Sequence, residues 1–448
     1  MKNSVQQQMW IGKLTFNVSS RAATAVLAIV IVSALAAVLT QSAHAQSFTV
    51  IHTFTGLGED GANPYAGLVM DRGGNLYGVT EYGGTGPCST QYTRGCGTVF
   101  KMKPSASGWT YEPLYSFAGA SNNDGAYPYL GGLTIGPDGS LYGTTVEGGL
   151  DESCDGNAGC GTVFNLRPGP TRPATALTPW TEKVLYRFQQ APDGNVPDGL
   201  LAFDAAGNIC GTTVYGGTNN YYYWGTVFEL TPSAGEWTER LIYSFYGEPD
   251  GAAPFSGVIY QNGNLYGTTF AGGTDNAGTL FELSPSGSGW TENILYKFIT
   301  NGTQPYSTPI FDSAGNLYGG TTDGEQTNSP VIYEMSPPYS GGTYSILYTF
   351  TRYYASGPAA PLLLDSSGNL YGTTVGDLDG YGSVFKLSPY NGQWILTKLH
   401  VFTGGSDGEV PYSNVVMDAQ GNLYGTASRG ADKSYCNGGC GVVWEITP

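Results

Sequence analysis

Gly74-Asn75-Leu76-Tyr77-Gly78 decides how the chain is read, because the phrase keeps returning. Further copies stand at Gly139-Ser140-Leu141-Tyr142-Gly143, Gly207-Asn208-Ile209-Cys210-Gly211, Gly263-Asn264-Leu265-Tyr266-Gly267, Gly315-Asn316-Leu317-Tyr318-Gly319, Gly368-Asn369-Leu370-Tyr371-Gly372 and Gly421-Asn422-Leu423-Tyr424-Gly425. Successive copies are 65, 68, 56, 52, 53 and 53 residues apart. A fixed period of this size marks stacked supersecondary units, each unable to bury its apolar surface alone. Cys210 occupies the slot held elsewhere by Tyr, and reads as a buried free thiol acting as a small hydrophobe.

Outward from the phrase, each period offers four strand-like segments. A short apolar run comes first, as in Gly67-Leu68-Val69-Met70-Asp71. The repeated phrase with its Thr-Thr extension is the second. The third is Gly161-Thr162-Val163-Phe164-Asn165-Leu166 and its equivalents, and the fourth runs Trp180 to Phe188 or Trp290 to Phe298. Turn residues separate all four. The third run is apolar almost without alternation, which suits a strand covered on both faces. Four short antiparallel strands per repeat describe the blade of a propeller.

The two ends of the series are offset. Phe48-Thr49-Val50-Ile51-His52-Thr53-Phe54 is a fourth-strand phrase, whereas Gly441-Val442-Val443-Trp444-Glu445-Ile446 is a third-strand phrase. Pairing them would remove two exposed sheet edges. The expectation is an all-β fold: a seven-bladed β-propeller over 46–448, closed by an N-terminal strand that completes the last blade. Pro168 to Pro179 reads as a loop between the third and fourth strands of one blade.

Residues 1–45 differ in kind. Lys2, Lys13 and Arg21 are their only charged residues, an apolar run spans Ala22 to Leu39, and Ala43-His44-Ala45 offers a small-residue cleavage pattern. That is the layout of a secretory signal peptide, an uncleaved anchor being the alternative. Their loss moves the formal charge from -17 to -20, since three cations and no acid leave. An acidic chain is unsuited to nucleic acid or anionic lipid. No second apolar span follows, so no membrane span is expected after signal removal, and the expected location is secreted, periplasmic or cell-surface.

Cysteine spacing agrees with export. Cys88/Cys96, Cys154/Cys160 and Cys436/Cys440 are local pairs whose second member lies in Gly-Cys-Gly. They read as short disulfide clips within Gly-rich loops. A metal site is the alternative, but no His lies near them. No cofactor or metal is expected.

These phrases resemble the choice-of-anchor tandem repeat GloVer-containing proteins, extracellular repeat proteins of bacteria, over nearly all of the chain past residue 45. The resemblance implies secretion and repeat architecture, and no reaction. Members often carry a C-terminal sorting signal, and the sequence up to Pro448 shows none.

Few residues suit catalysis. His52 and His400 both fill a Tyr slot of the fourth strand, so a His-based triad or zinc site is not expected. Asp60-Gly61, Asp124-Gly125, Asp193-Gly194, Asp250-Gly251 and Asp407-Gly408 recur at the crossings between blades, and repetition makes them architecture. Difference between copies is the better guide to function. The connections between second and third strands are long in the first, second and last blades and Tyr-rich in the third. One position after the Thr-Thr phrase reads Arg429, Tyr82, Glu147 and Tyr215 on that side, against Ala271, Asp323 and Gly376. With Tyr221, Tyr222, Tyr223 and Trp224 these form the expected ligand-binding patch, aromatic enough to stack on sugars or peptide side chains. The expected function is non-enzymatic binding of an extracellular glycan or protein. The alternatives are a carbohydrate-active enzyme pairing Glu147 with Asp151 or Glu152, and a purely structural envelope or matrix component.

Overall fold

A computed structural model describes residues 46–448 except 90–93, 150–153, 155–157, 170–179, 190, 219–223, 300–301, 323–328, 340–341, 351–356 and 377–379. Much of the Pro168–Pro179 loop, and all of Asp151, Glu152, Tyr221, Tyr222 and Tyr223, thus lie outside the described residues.

The described strands form seven four-stranded antiparallel sheets, one per repeat. Blade 1 is typical, with Val69–Met70, Leu76–Thr80, Thr98–Ser105 and Gly108–Ser116 in that order. Blade 7 takes three strands from its own repeat: Val416–Met417, Leu423–Ala427 and Val442–Thr447. Its outer strand is Ser47–Thr53, which pairs antiparallel with Val442–Thr447: Val50 faces Trp444 and His52 faces Val443. The offset ends therefore meet as the sequence predicts.

Burial follows position in the blade. The second strands are buried throughout, as in Leu370–Thr374, while the outer strands alternate, as in Gln393–Val401. One contact repeats at all seven seams. The Phe ending each outer strand packs on the third-strand aromatic of the next blade: Phe54 on Phe100, Phe117 on Phe164, Phe188 on Phe228, Phe245 on Phe281, Phe298 on Tyr333, Phe350 on Phe385 and Phe402 on Trp444. The first and last of these close the circle.

The same ring explains the last Gly of the repeated phrase. A Cβ on Gly78 would lie 2.5 Å from Phe100, and one on Gly372 would lie 2.8 Å from Phe385. The Asp ahead of the phrase fixes its turn. Asp71 accepts hydrogen bonds from the N–H groups of Gly73 and Asn75, the Asn75 side chain and the Tyr77 hydroxyl. Asp312, Asp365 and Asp418 do the same in later blades.

The crossings bear out the architectural role of Asp-Gly. Asp124 accepts from the Tyr115 hydroxyl at 2.9 Å and from the N–H groups of Ala118 and Gly125. His52 and His400 replace that Tyr and bond Asp60 and Asp407 at 3.2 and 3.1 Å. Among the described residues no helix is long and apolar enough to cross a membrane.

The three disulfides form as paired in the sequence, Cys88–Cys96, Cys154–Cys160 and Cys436–Cys440, and Cys210 is a buried free thiol. The bridges lie in Gly-rich connections, as the sequence suggests, and their second members are sunk into the blade seams. Cys96, Cys160 and Cys440 are completely buried, each in an apolar cluster with the Phe that ends an outer strand: Phe117, Phe188 and Phe54 in turn. The physical reason is that Gly-Cys-Gly leads directly into the covered third strand and meets the next crossing. The carbonyl of Cys96 accepts the Tyr127 N–H, that of Cys160 the Val196 N–H and that of Cys440 the Asn63 N–H. Only the first members, Cys88 and Cys154, keep partial exposure, while Cys436 is buried with its partner. Each bridge therefore fastens a long connection to a seam between blades.

Candidate functional site

Alternating strand direction puts two kinds of connection on one face: those between second and third strands, and the crossings between blades. Short ladders tie them together. Gly61–Ala62 pairs with Tyr82–Gly83, Gly125–Ala126 with Glu147–Gly148, Gly194–Asn195 with Tyr215–Gly216, and Gly251–Ala252 with Ala271–Gly272. Glu409 bridges Arg429 in the same way. Below the four two-residue ladders a Thr pins the variable residue, whereas blade 7 carries Ala427 at that position. The Thr80 hydroxyl donates to the Tyr82 carbonyl, Thr145 to that of Glu147 and Thr213 to that of Tyr215, each at 2.8 Å. The repeated Thr-Thr phrase is therefore a mount, and the residue two positions on is what it presents.

Each crossing then delivers one residue, directly after its Pro, to the axis. The seven are Tyr65, Tyr129, Asp198, Phe255, Tyr306, Ala359 and Tyr412. Their rings meet around the mouth: Tyr65 lies 4.9 Å from Tyr129 and 5.6 Å from Tyr412, and Phe255 stacks on Tyr306 at 4.7 Å. Beneath the rings lies an axial cavity of about 80 Å³, lined by Asp198, Phe255, Tyr306, Tyr412, Asn414 and the first residues of the innermost strands. It holds a few waters or one small polar group. Further along the innermost strands the axis widens to a space of about 340 Å³ without a charged lining residue.

Asp198 is 2 % exposed. Its Oδ1 accepts the Leu130 N–H at 2.9 Å. Burial drives its carboxyl well above the usual carboxylate range, and Glu81 adds to the rise, against the opposing N–H bonds of Leu130 and Gly131. Glu81 stands where the other blades carry Val146, Val214, Phe270, Thr322, Val375 and Ser428. Burial pushes it up to about 7, with Glu147 raising and the Tyr82 hydroxyl and Arg429 lowering it. Glu147 is also raised by burial. Arg429 donates to the Tyr65 hydroxyl at 3.4 Å, and Tyr82 packs edge-on to Tyr127 at 5.4 Å.

The structure thus brings Tyr82, Glu147 and Arg429 into one electrostatic cluster around Glu81. Tyr215, 47 % exposed, stands on the same face nearer Tyr306. Trp224 is set apart: it packs beside Val227, Ile242 and Phe245 in the seam of blades 3 and 4, its ring under Gly247. Sequence reasoning missed Glu81, Asp198 and the aromatic ring. Aligning the repeats shows them as a column after Pro that reads Tyr except at Asp198, Phe255 and Ala359, and as one Glu in a mostly apolar column.

Fold and face together define a seven-bladed β-propeller with one elaborated, acidic and aromatic axial mouth. The chain belongs to the Gloeobacter/Verrucomicrobia repeat family, whose profile matches residues 36–222, 86–306 and 293–448. No curated protein matches the sequence. Among solved structures, the PQQ-bound form of an aldose sugar dehydrogenase from Streptomyces coelicolor is similar, with a TM-score of 0.44 at 12% identity over 90% of this chain and 98% of that one.

Proposed function

We propose that the protein is exported, residues 1–45 being removed, and acts as a non-enzymatic binding module that captures a segment of a partner protein at the axial mouth. The carrying observation is the aromatic ring over a narrow axial cavity. A cavity of that size suits one inserted side chain, and rings with polar tips are effective anchors for it. Tyr82, Glu147, Tyr215 and Arg429 form the rim of the same site, and the three disulfides and the acidic charge suit an extracellular setting. Peptide and glycan arrays probed with residues 46–448 test this reading. Peptide binding that is lost in the Tyr129→Ala/Tyr412→Ala double variant supports it, and binding confined to glycans or unaffected by the variant refutes it.

Glu81 beside Glu147 supports a second reading, a carbohydrate-active enzyme, because a carboxyl titrating near neutrality can serve as a general acid. Cleavage of a polysaccharide by the wild type and its loss in Glu81→Gln would establish it.

A further inference from the structure

The axial mouth is chemically lopsided. On the side of blades 4 and 5, Phe255, Phe270 and Tyr306 pack on one another at 4.7–5.6 Å. Asp198 lines the same cavity as Phe255, Tyr306 and Tyr412, and Asp198 and Glu81 both act on Tyr129. Asp198 replaces the ring that its blade would otherwise contribute. Its carboxyl lines the cavity, is held by backbone N–H groups, and feels no cation among the described residues; Arg429 reaches Tyr65 instead.

For want of a partner cation, burial favours the protonated form of the Asp198 carboxyl, and an arriving cation would favour its ionisation. Aromatic faces around a carboxylate are what a desolvated organic cation needs, because the ring quadrupoles and the charge attract it together. The excess of acid over base in the whole chain draws cations toward the protein. Cavity size completes the argument: an ammonium head is about as large as a water, and an alkyl stem would lie between the rings.

We propose that the axial mouth recognises a protonated alkylamine of the lysine type, with its ammonium in the cavity against Asp198, Glu81 standing close enough to act on the same charge, and its methylene stem clasped by the lining rings Phe255, Tyr306 and Tyr412. The inference rests on the peptide-binding reading and names the group that the mouth takes.

The test is calorimetric titration of residues 46–448 at pH 8, using N-acetyl-lysine methylamide, its uncharged norleucine counterpart and cadaverine. The lysine probe and cadaverine should bind at least tenfold more tightly than the norleucine probe. Asp198→Asn and Glu81→Gln should each erase most of that preference while the thermal midpoint holds, and added salt should weaken the cationic probes alone. Equal affinity for lysine and norleucine probes, or a preference surviving in both variants, overturns the inference and leaves the peptide-binding reading intact. Array peptides that bind without lysine at the contact also overturn it. Cadaverine binding without any peptide binding would uphold the cation site and sink the broader reading.

Discussion

At the residue scale, small side chains carry much of the specification. Gly372 sits in a fully buried strand, and a methyl there would meet Phe385 at 2.8 Å and Leu362 at 2.9 Å. Gly372→Ala should therefore cost about 1–3 kcal/mol, the usual range for forcing one extra carbon into a filled core. Urea unfolding measures it, and Phe385→Leu in the same chain should return part of the loss. An unchanged midpoint would show that the ring is free to move. Cys210 gives a second expectation. Burial pushes its thiol up, so it should stay silent to a thiol reagent in the native protein and react once per chain after denaturation. Rapid native labelling would contradict its placement. Both residues were legible in the sequence, since each is defined by its own repeat. The pairing of Cys96, Cys160 and Cys440 was legible too, from spacing, but their burial was not, because the Phe rings that cover them end strands of another segment. Glu81 and Asp198 were missed for the same kind of reason. Their meaning comes from neighbours more than a hundred residues apart, such as Glu81 and Asp198 themselves, which only a closed ring brings together.

At the scale of the element, six of the seven seams between blades show one of two chemistries. At three consecutive seams a Glu of one outer strand faces the Asp of the preceding crossing: Glu182 with Asp124, Glu239 with Asp193 and Glu292 with Asp250. The Tyr243 hydroxyl lies 3.2 Å from both Asp250 and Glu292. At three other seams rings stack instead: Tyr296 on Tyr344 at 3.8 Å, Phe48 on His400 at 3.6 Å, and His52 on Tyr111 at 4.2 Å. Burial first, and the facing Asp second, push Glu182 and Glu292 up to about 8 and Glu239 up to about 7. A carboxyl raised in the folded state binds more protons there than in the unfolded chain. Its stabilisation is complete below about pH 4.5 and is lost as pH rises toward 8. His400, lowered chiefly by burial, acts in the opposite sense and loses stability as pH falls through 6.5. With these three carboxyls, and Glu81, Glu147 and Asp198 raised beside them, against one imidazole, the thermal midpoint should fall between pH 5 and pH 9. General charge repulsion pushes the same way, so the decisive comparison is Glu182→Gln/Glu292→Gln, which should flatten the profile. An unaltered slope would remove these pairs from the account. The strands and their order could be read from the repeated phrases, but the seam partners could not, because they belong to different repeats in a register that only packing sets.

At the scale of the whole molecule, the decisive contact is the strand Ser47–Thr53 against Val442–Thr447. Its removal would bare the edge of blade 7 and take Phe54's neighbour strand from the seam with blade 1. A chain beginning at Phe54 should melt at a lower temperature and self-associate, as light scattering after size exclusion would show, and a peptide spanning 46–53 should reverse both effects. A monomeric truncation with an unshifted midpoint would mean that six complete blades hold the fold unaided. This part of the architecture was plain in the sequence, since the leftover phrases at the two ends match the missing strand. The axial mouth was half visible: the elaborated face was found from Tyr82, Glu147 and Arg429, and its centre was not.

The pairing of 47–53 with 442–447 also bears on how such a polypeptide reaches its native state. Strand 47–53, made ahead of every blade, has no mate until residues 442–447 have followed it. Every shorter product is stranded with an unmatched edge at each extremity, open to proteases and to other chains. The strand that seals blade 7 is therefore available long before its mate, and the ring can shut only after the seventh repeat has been made.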